Sequence, residues 1–370
     1  MTTITASVAR DSADEFSVEQ LELEDPRPDE VLIRYVAAGL CHTDLEAARG
    51  TVPTPRPVVL GHEGAGVVAA VGSAVTGFEP GDRVLLSLDS CGRCAHCLAG
   101  QPAYCVDHIP LNFHARRADG SVGLRDAAGA PVHDHFFGQS SHATYGLAHP
   151  RGLVKVDADI PLEVLAPMGC GVITGAGAVL NSLRVQAGST VAIFGAGAVG
   201  LSAMLAAIAV GATRVIVIDR IPERLTLATE LGATDTIDAT SADSADSAAA
   251  IDDLTNGRGV DYSIESTGVL AVMNTAAKVL APLGSAAILG VTAPDAALQA
   301  NVFELLKGRT ITGSVMGHQA PAVLIPRLLN LYRQGRFPLD CLIRRYPLHQ
   351  INTAVADVKS GSTIKAVLVP

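Results

Sequence analysis

The sequence contains no tryptophan, and aromatic residues make up only 4% of its 370 positions. Surfaces that stack nucleic-acid bases are built from aromatic faces, so none is expected here. Cationic runs are missing too. Lys and Arg total 27 against 37 Asp and Glu, a formal net charge of −10, and no cluster of them offers a track for a phosphate backbone. No nucleic-acid partner is expected. The opening residues, MTTITASVARDSADEF, are polar and lack the apolar stretch of a secretion signal. With 48% hydrophobic and 17% charged residues, the chain reads as a soluble globular enzyme long enough for two domains.

One uncharged run, VAIFGAGAVGLSAMLAAIAVGA from Val191 to Ala212, has the length of a membrane span. Glycines interrupt it, and it passes directly into another apolar run, VIVID. A buried strand followed by a buried helix is the better reading, and no membrane partner is expected.

Seven cysteines are an odd number, and a chain with no export signal is expected in the reducing cytoplasm. Four of them fall within fifteen residues, CGRCAHCLAGQPAYC, at the spacing C-x2-C-x2-C-x7-C (Cys91, Cys94, Cys97, Cys105). Thiolates two residues apart turn back onto one small cation, and four close a tetrahedral shell. Zinc is the favoured occupant, with an iron–sulfur cluster or a role without metal as the alternatives. A closed shell has no position for substrate, so this cluster is read as structural, and catalysis has to lie elsewhere.

Residues 1–150 read as short strands broken by Gly and Pro (EVLIRYVAAGL, VVLGHEGAGVVAAVG, GDRVLLSL), the pattern of an irregular β domain. DIPLEVLAPMGCGVITGAGAVL carries the first helical periodicity. From Gly188 strands and helices alternate: TVAIFGAG, VGLSAMLAAIAVG, RVIVID, PERLTLATELGA, then the strands GVDYSIESTG and GSAAILGV. That order predicts a doubly wound parallel sheet. Ala239–Ala250 is low in bulk and predicts an exposed, poorly packed helix or loop. AVLIPRLLNLYRQG predicts a helix, and TIKAVLVP a closing strand. Cys341 reads as a buried spare thiol.

GAGAVG, Gly195–Gly200, lies between a predicted strand and a predicted helix, and Asp219 ends the next strand 19 residues after the last glycine. Gly195, Gly197, Val199 and Gly200 are therefore read as a dinucleotide loop, with the pyrophosphate on the helix N-terminus and Asp219 accepting from a ribose hydroxyl. Asp219 would repel a 2′-phosphate, which favours NAD; Arg220 and Arg224 soften that preference. GLCHTD (Gly39–Asp44), GHEGAGVV (Gly61–Val68) and MGCGVITGAG (Met168–Gly177) supply Cys41, His62 and Cys170. Each alone has an ordinary reading as a core or hydrogen-bonded residue. Together they form a catalytic zinc set with one position open.

These segments, with GDRV, the four-cysteine lobe and SGSTIKAVLV, occur in the order found in the zinc-dependent medium-chain alcohol dehydrogenases, and the chain resembles that family over almost its full length. The resemblance implies a GroES-like irregular β catalytic domain over residues 1–157 with a structural zinc lobe at about 91–105, an α/β Rossmann domain over 158–297, and a return to the catalytic domain over 298–370. It implies two zinc ions per subunit, one held by Cys41, His62 and Cys170 and one by the cysteine cluster. It makes Glu63 a carboxylate behind the metal, Thr43 the hydroxyl that takes the substrate proton, Thr174 a contact to the nicotinamide, and His42 and Lys365 basic contacts to the pyrophosphate. Arg224 belongs with the cofactor residues. Beyond Thr43 the proton passes to Glu46 or to solvent. A homodimer or homotetramer is implied.

LNFHARRADGS, FFGQSSHATYGL, LLKGRTITGSVMG and LYRQGRFPLDCLI are most similar to bacterial aryl-alcohol dehydrogenases acting on benzyl or allylic alcohols. Oxidation of such a small-molecule alcohol to its aldehyde is the expected activity. Phe136 and Phe137 either bring aromatic surface to the pocket or simply pack. A dehydrogenase of S-hydroxymethyl thiol adducts shares most of these motifs and would use Arg116 and Arg117 to hold its conjugate. The zinc-free quinone and enoyl reductases share the fold but lack both cysteine sets. A non-catalytic NAD-binding module would show broken ligands, and none is broken.

Overall fold

All five residues of strand Thr190–Phe194 are buried. A strand covered on both faces belongs inside a parallel sheet flanked by helices. Its sheet has six strands in the order Asp235–Asp238, Arg214–Asp219, Thr190–Phe194, Val260–Glu265, Leu280–Ile288, Thr310–Gly313, with every pairing parallel. The strand order reverses beside Thr190–Phe194, the arrangement that opens a crevice at the carboxyl ends of the strands. The uncharged run resolves into this strand and helix Ala198–Val210, whose residues 200–207 are all buried. No single helix among the described residues is long and apolar enough to cross a membrane.

The computed structural model describes residues 1–11, 15–240, 244–293 and 295–370. They form two units: residues 1–170, 320–326 and 339–370, and residues 171–319 and 327–338. The first division falls later than the sequence places it, because Gly169 lies so close to strand Arg83–Leu86 that a Cβ would come within 2.2 Å of the Leu86 carbonyl oxygen. The second is later because the Ala320 amide donates to Gly100 O.

The first unit holds two sheets. One runs Val58–Val59, Thr2–Ala9, Ser17–Leu23, Leu124–Arg125, Pro131–Val132. Ile4, Ala6 and Val8 alternate inward there and meet Leu21 and Leu23. The other runs Leu153–Lys155, Arg83–Leu86, Glu63–Val71, Val31–Gly39, Lys365–Val369, Ile343–Pro347, and Tyr145–Ala148 also pairs with Val31–Gly39. Val31, Ile33 and Tyr35 take its buried positions. Burial of each such Val or Ile contributes about 1.5–3 kcal/mol. The last strand, Lys365–Val369, pairs antiparallel with Val31–Gly39 and brings the C-terminal tail back to this unit.

Some expectations are revised. The periodic stretch from Leu162 is not one helix but four short pieces, Leu162–Leu165, Ala166–Gly169, Gly171–Gly177 and Ala178–Ser182. Pro167 removes a backbone donor, and Cys170 breaks the run at φ −144°, ψ −78°. Within Ala239–Ala250, residues 241–243 lie outside the described residues. From Ser244 the chain is helical as far as Leu254, anchored by the fully buried Ile251. Cys341 is exposed rather than buried, on the short turn Asp340–Leu342.

Candidate active site

Strand Val31–Gly39 ends where Cys41 caps helix His42–Arg49. His62 follows Gly61, whose φ of +95° turns the chain into strand Glu63–Val71. Cys170 stands at the helix break after Gly169, held near by Ser87 Oγ donating to Gly169 O at 2.6 Å. These three segments bring the thiols of Cys41 and Cys170 and an imidazole nitrogen of His62 within 4.8 Å of one another.

The His62 ring is fully buried, with Nδ1 2.8 Å from Asp44 Oδ1. That leaves Nε2 buried and without a hydrogen-bond partner among the described residues. A thiol hydrogen bond from Cys170 holds Cys41 well below its ordinary range, while the same contact and burial push Cys170 up. Burial would lower His62, but the charges of Asp44 and Cys41 more than offset it, and the imidazole rises well above its usual value. Two thiols, one ready to ionise, and an imidazole with one open nitrogen suit zinc and leave a fourth position free. Zinc binding would displace the proton that these charges hold on the imidazole and free Nε2 as a ligand nitrogen.

Asp44 is the residue that motif reading missed. It is fully buried, and its carboxylate accepts from the Cys41 amide (2.9 Å), the Gly61 amide (3.1 Å) and His62 Nδ1. The available signal was its place three residues after the helix cap, where an acid closes a capping box. Glu63 is also fully buried. Burial raises its carboxyl, against the pull of Lys365. Gly39 makes room for it: a Cβ there would sit 1.9 Å from Glu63 Oε2.

Lys365 departs from expectation. Its ammonium donates to both Glu63 oxygens, at 3.0 and 2.9 Å, and to Leu40 O at 3.2 Å. Three N–H groups meet three acceptors in a buried site, so none is left for a pyrophosphate. Burial would lower its pKa, but the Glu63 charge raises it instead. Thr43 is half-buried with Oγ1 3.9 Å from Cys41 Sγ. His42 is exposed and lies 3.3 Å from Glu46, which also accepts from Arg49 at 2.9 Å. Phe136 and Phe137 are buried in the first unit. The Phe137 ring stacks on His62 at 4.5 Å, and Phe136 meets it edge-on at 5.7 Å. Arg117 is buried against Glu30 and Glu24, its charge already matched.

The four sulfurs of Cys91, Cys94, Cys97 and Cys105 also lie within 4.8 Å of one another. Backbone amides point at them: Cys91 N to Cys105 Sγ (3.3 Å), Cys94 N to Cys91 Sγ (3.4 Å) and Asp107 N to Cys105 Sγ (3.4 Å). Such donors favour thiolates. Amides of Cys97 and Val106 bring Cys94 down to about 6, whereas burial pushes Cys105 up to about 12. None of the seven cysteines is in a disulfide.

In the second unit Gly195, at φ +97°, turns the chain out of its strand, and a Cβ on Gly200 would fall 1.7 Å from Gly195 O. A Cβ on Gly197 would meet nothing nearer than Arg224 Nη1 at 4.0 Å, so the loop presents bare backbone to an open side. Arg224 is partly buried, which lowers its pKa, and its Nε has no hydrogen-bond partner among the described residues. Asp219 Oδ2 accepts from the Ala196 amide at 2.5 Å and Oδ1 from Ile221 N at 2.9 Å, which ties the end of its strand to the loop. Val199 is half-buried on the first turn of helix Ala198–Val210. Thr174, on Gly171–Gly177, directs its hydroxyl at Met316 Sδ, 4.0 Å away.

Two family descriptions match the chain: an alcohol dehydrogenase GroES-like domain over residues 27–158 and a zinc-binding dehydrogenase over residues 198–330. The chain is 46% identical over 366 residues to a geraniol dehydrogenase of Castellaniella defragrans, covering 98% of this chain and 97% of that one. A solved alcohol dehydrogenase zinc-binding domain protein from Burkholderia ambifaria is 49% identical with a TM-score of 0.96, covering 100% and 99% of the two chains. The benzyl alcohol dehydrogenase structure from Acinetobacter calcoaceticus is 41% identical with a TM-score of 0.95 and the same coverage. The fold is thus a GroES-like domain with a Rossmann domain, and the chain belongs to the zinc-dependent medium-chain alcohol dehydrogenases.

Proposed function

We propose that this protein oxidises primary allylic or aromatic alcohols to their aldehydes with NAD as hydride acceptor. The observation that carries the reading is the buried set of Cys41, His62 and Cys170, with Nε2 of His62 left open by its bond to Asp44. Likeness to a geraniol dehydrogenase and a benzyl alcohol dehydrogenase supports the substrate class. Zinc held by these three residues would supply a Lewis acid that lowers the pKa of an alcohol, while NAD would take up the hydride. A second zinc belongs to Cys91, Cys94, Cys97 and Cys105 and braces the lobe.

The remaining roles fall to the chain's own groups. Asp44 fixes the His62 tautomer so that Nδ1 carries the proton and Nε2 faces the thiols. Glu63 and Lys365 form a buried, mutually neutralising ion pair behind the site. Thr43 takes the substrate proton from its half-buried position beside Cys41. Glu46 already accepts from Arg49 and faces His42, so a proton arriving there would displace favourable contacts, and solvent is the better final acceptor. The bare backbone at Gly197 receives the pyrophosphate, Arg224 supplies a cation beside it, and Asp219 accepts from the ribose. Thr174 and His42 keep the cofactor roles that the family resemblance implies. Lys365 is not assigned one.

The thiol-adduct reading loses one of its two cations, because Arg117 is neutralised by Glu30 and Glu24 while Arg116 stays exposed. A cytoplasmic homodimer or homotetramer completes the proposal. The test is turnover of benzyl, cinnamyl, geranyl and short aliphatic alcohols with NAD and with NADP, followed by reduced-cofactor absorbance. Formaldehyde is run beside them with glutathione or mycothiol. Activity confined to formaldehyde plus thiol would overturn the reading.

A further inference from the structure

Residues 135–140 form an unusual turn. His135 (φ 62°), Phe137 (φ 51°) and Ser140 (φ 49°) occupy the left-handed region without being glycine, and Gly138 (φ 67°) joins them. Side chains with a Cβ resist that region, and they stay there only when their surroundings over-determine the conformation. Both ends of the turn are pinned. His135 lies between Asp134 Oδ1 (2.8 Å) and Glu30 Oε1 (3.3 Å). Ser140 Oγ accepts from the Phe136 amide and donates to Val59 O.

Between these anchors the turn presents three side chains to His62: Phe136 edge-on at 5.7 Å, Phe137 and Gln139. Gln139 is 1% exposed. Its Oε1 accepts from Gly64 N at 2.9 Å, and its Nε2 donates to His62 O at 3.1 Å and to Ser87 O at 3.0 Å. One amide orientation alone satisfies all three, since the site offers one donor and two acceptors. Gln139 therefore grips the backbone on both sides of Glu63. Tyr35 Oη in turn donates to Gln139 O at 2.7 Å. Phe137 lays its ring on the imidazole at 4.5 Å with 25° between the planes, and Phe113 supports it edge-on at 5.0 Å. Asp44 holds Nδ1 through one hydrogen bond and makes none to the His62 peptide.

We infer that Gln139 and Phe137 are positioning residues for His62: the strained turn carries both, so that the peptide and ring plane of His62 are set before a metal arrives. This rests on the reading of His62 as a zinc ligand. The hydrogen bonds of Gln139 run to His62, Gly64 and Ser87, and the ring of Phe137 lies directly on His62, whereas the clustered cysteines are reached only indirectly, through the His108 and Phe113 rings after Cys105, so the main effect falls on the His62 site.

The test compares the purified holoenzyme with Gln139→Leu, which keeps bulk and removes all three bonds, and with Phe137→Leu, which removes the ring face and no hydrogen bond. Zinc content, the rate of zinc loss to a chelator and the visible spectrum of the cobalt-substituted protein are measured. Expected is a loss of one zinc about 10–100-fold faster than in the parent, a shifted cobalt spectrum, and return to parental behaviour in Phe137→Tyr. Should Gln139→Leu not fold, Phe137→Leu and its Tyr rescue carry the test. Lower melting temperatures with parental zinc loss and cobalt bands would overturn the inference alone. A parent protein holding only the cysteine-cluster zinc would overturn the ligand reading beneath it.

Discussion

Replacing Asp44 with asparagine keeps the shape of a fully buried side chain and changes its hydrogen-bond arithmetic. The carboxylate meets three donors, Cys41 N, Gly61 N and His62 Nδ1, with Oδ1 taking the last two and Oδ2 the first. An asparagine that keeps its oxygen on Gly61 and His62 must turn its NH2 toward the Cys41 amide, donor against donor. Leaving one buried donor unsatisfied costs about 1–3 kcal/mol. The charge-assisted bond to His62 is weakened as well, which for a carboxylate behind a histidine ligand is expected to lower metal affinity about 10–100-fold. Urea unfolding and chelator competition read the two effects separately. The midpoint should fall with the slope unchanged, and one zinc of two should leave faster. Parental midpoint and parental zinc loss in Asp44→Asn would refute the view that this carboxylate orients His62.

The two cysteine sets should separate by phenotype. Cys94→Ser is expected to lower stability or assembly while the remaining folded protein turns over normally, and Cys41→Ser to abolish turnover while NAD still binds by titration calorimetry. Identical melting in a zinc-depleted Cys94→Ser would remove the bracing role. The His135 imidazolium gives a pH signature. Burial would lower its pKa, but Asp134 and Glu30 raise it to about 9. A group raised in the folded state adds stability that is complete below its unfolded value of about 6.5 and disappears as pH climbs through about 9. Stability should therefore decline between those values in the parent, and less steeply in His135→Gln. Parallel pH profiles from chemical denaturation would contradict the assignment.

Local features carried much of this protein in plain view. Val191–Ala212 announced a strand and helix buried on all sides because it had no charge to leave in water. The glycines of GAGAVG, with Asp219 beyond them, predict a tight loop between strand and helix, and Gly195 at φ +97° with Gly200 against Gly195 O forms one. The four closely spaced cysteines predict a metal lobe, and their sulfurs converge to within 4.8 Å of one another, because ligands near in sequence need little help from the fold to meet. Cys41, His62 and Cys170 were harder. They stand more than a hundred residues apart in total span, and only the resemblance of whole motifs in order joined them before the strands did.

What no local pattern contained were the partners those residues meet across the fold. Asp44 looks in sequence like a helix-capping acid, and only packing shows it serving His62 as well. Lys365 looked like a phosphate contact until pairing of the last strand with Val31–Gly39 placed its ammonium on Glu63, where desolvation makes an unpaired charge too costly to keep. Arg117 looked like a pocket cation and proved to be spent on Glu30. Sequence by itself determined which segments bury themselves and which residues are candidates for zinc and a dinucleotide, because residue type and close spacing are local properties. Which buried charge meets which, and how His62 is held, was decided by tertiary structure, because such pairing depends on distances that only the assembled sheets create.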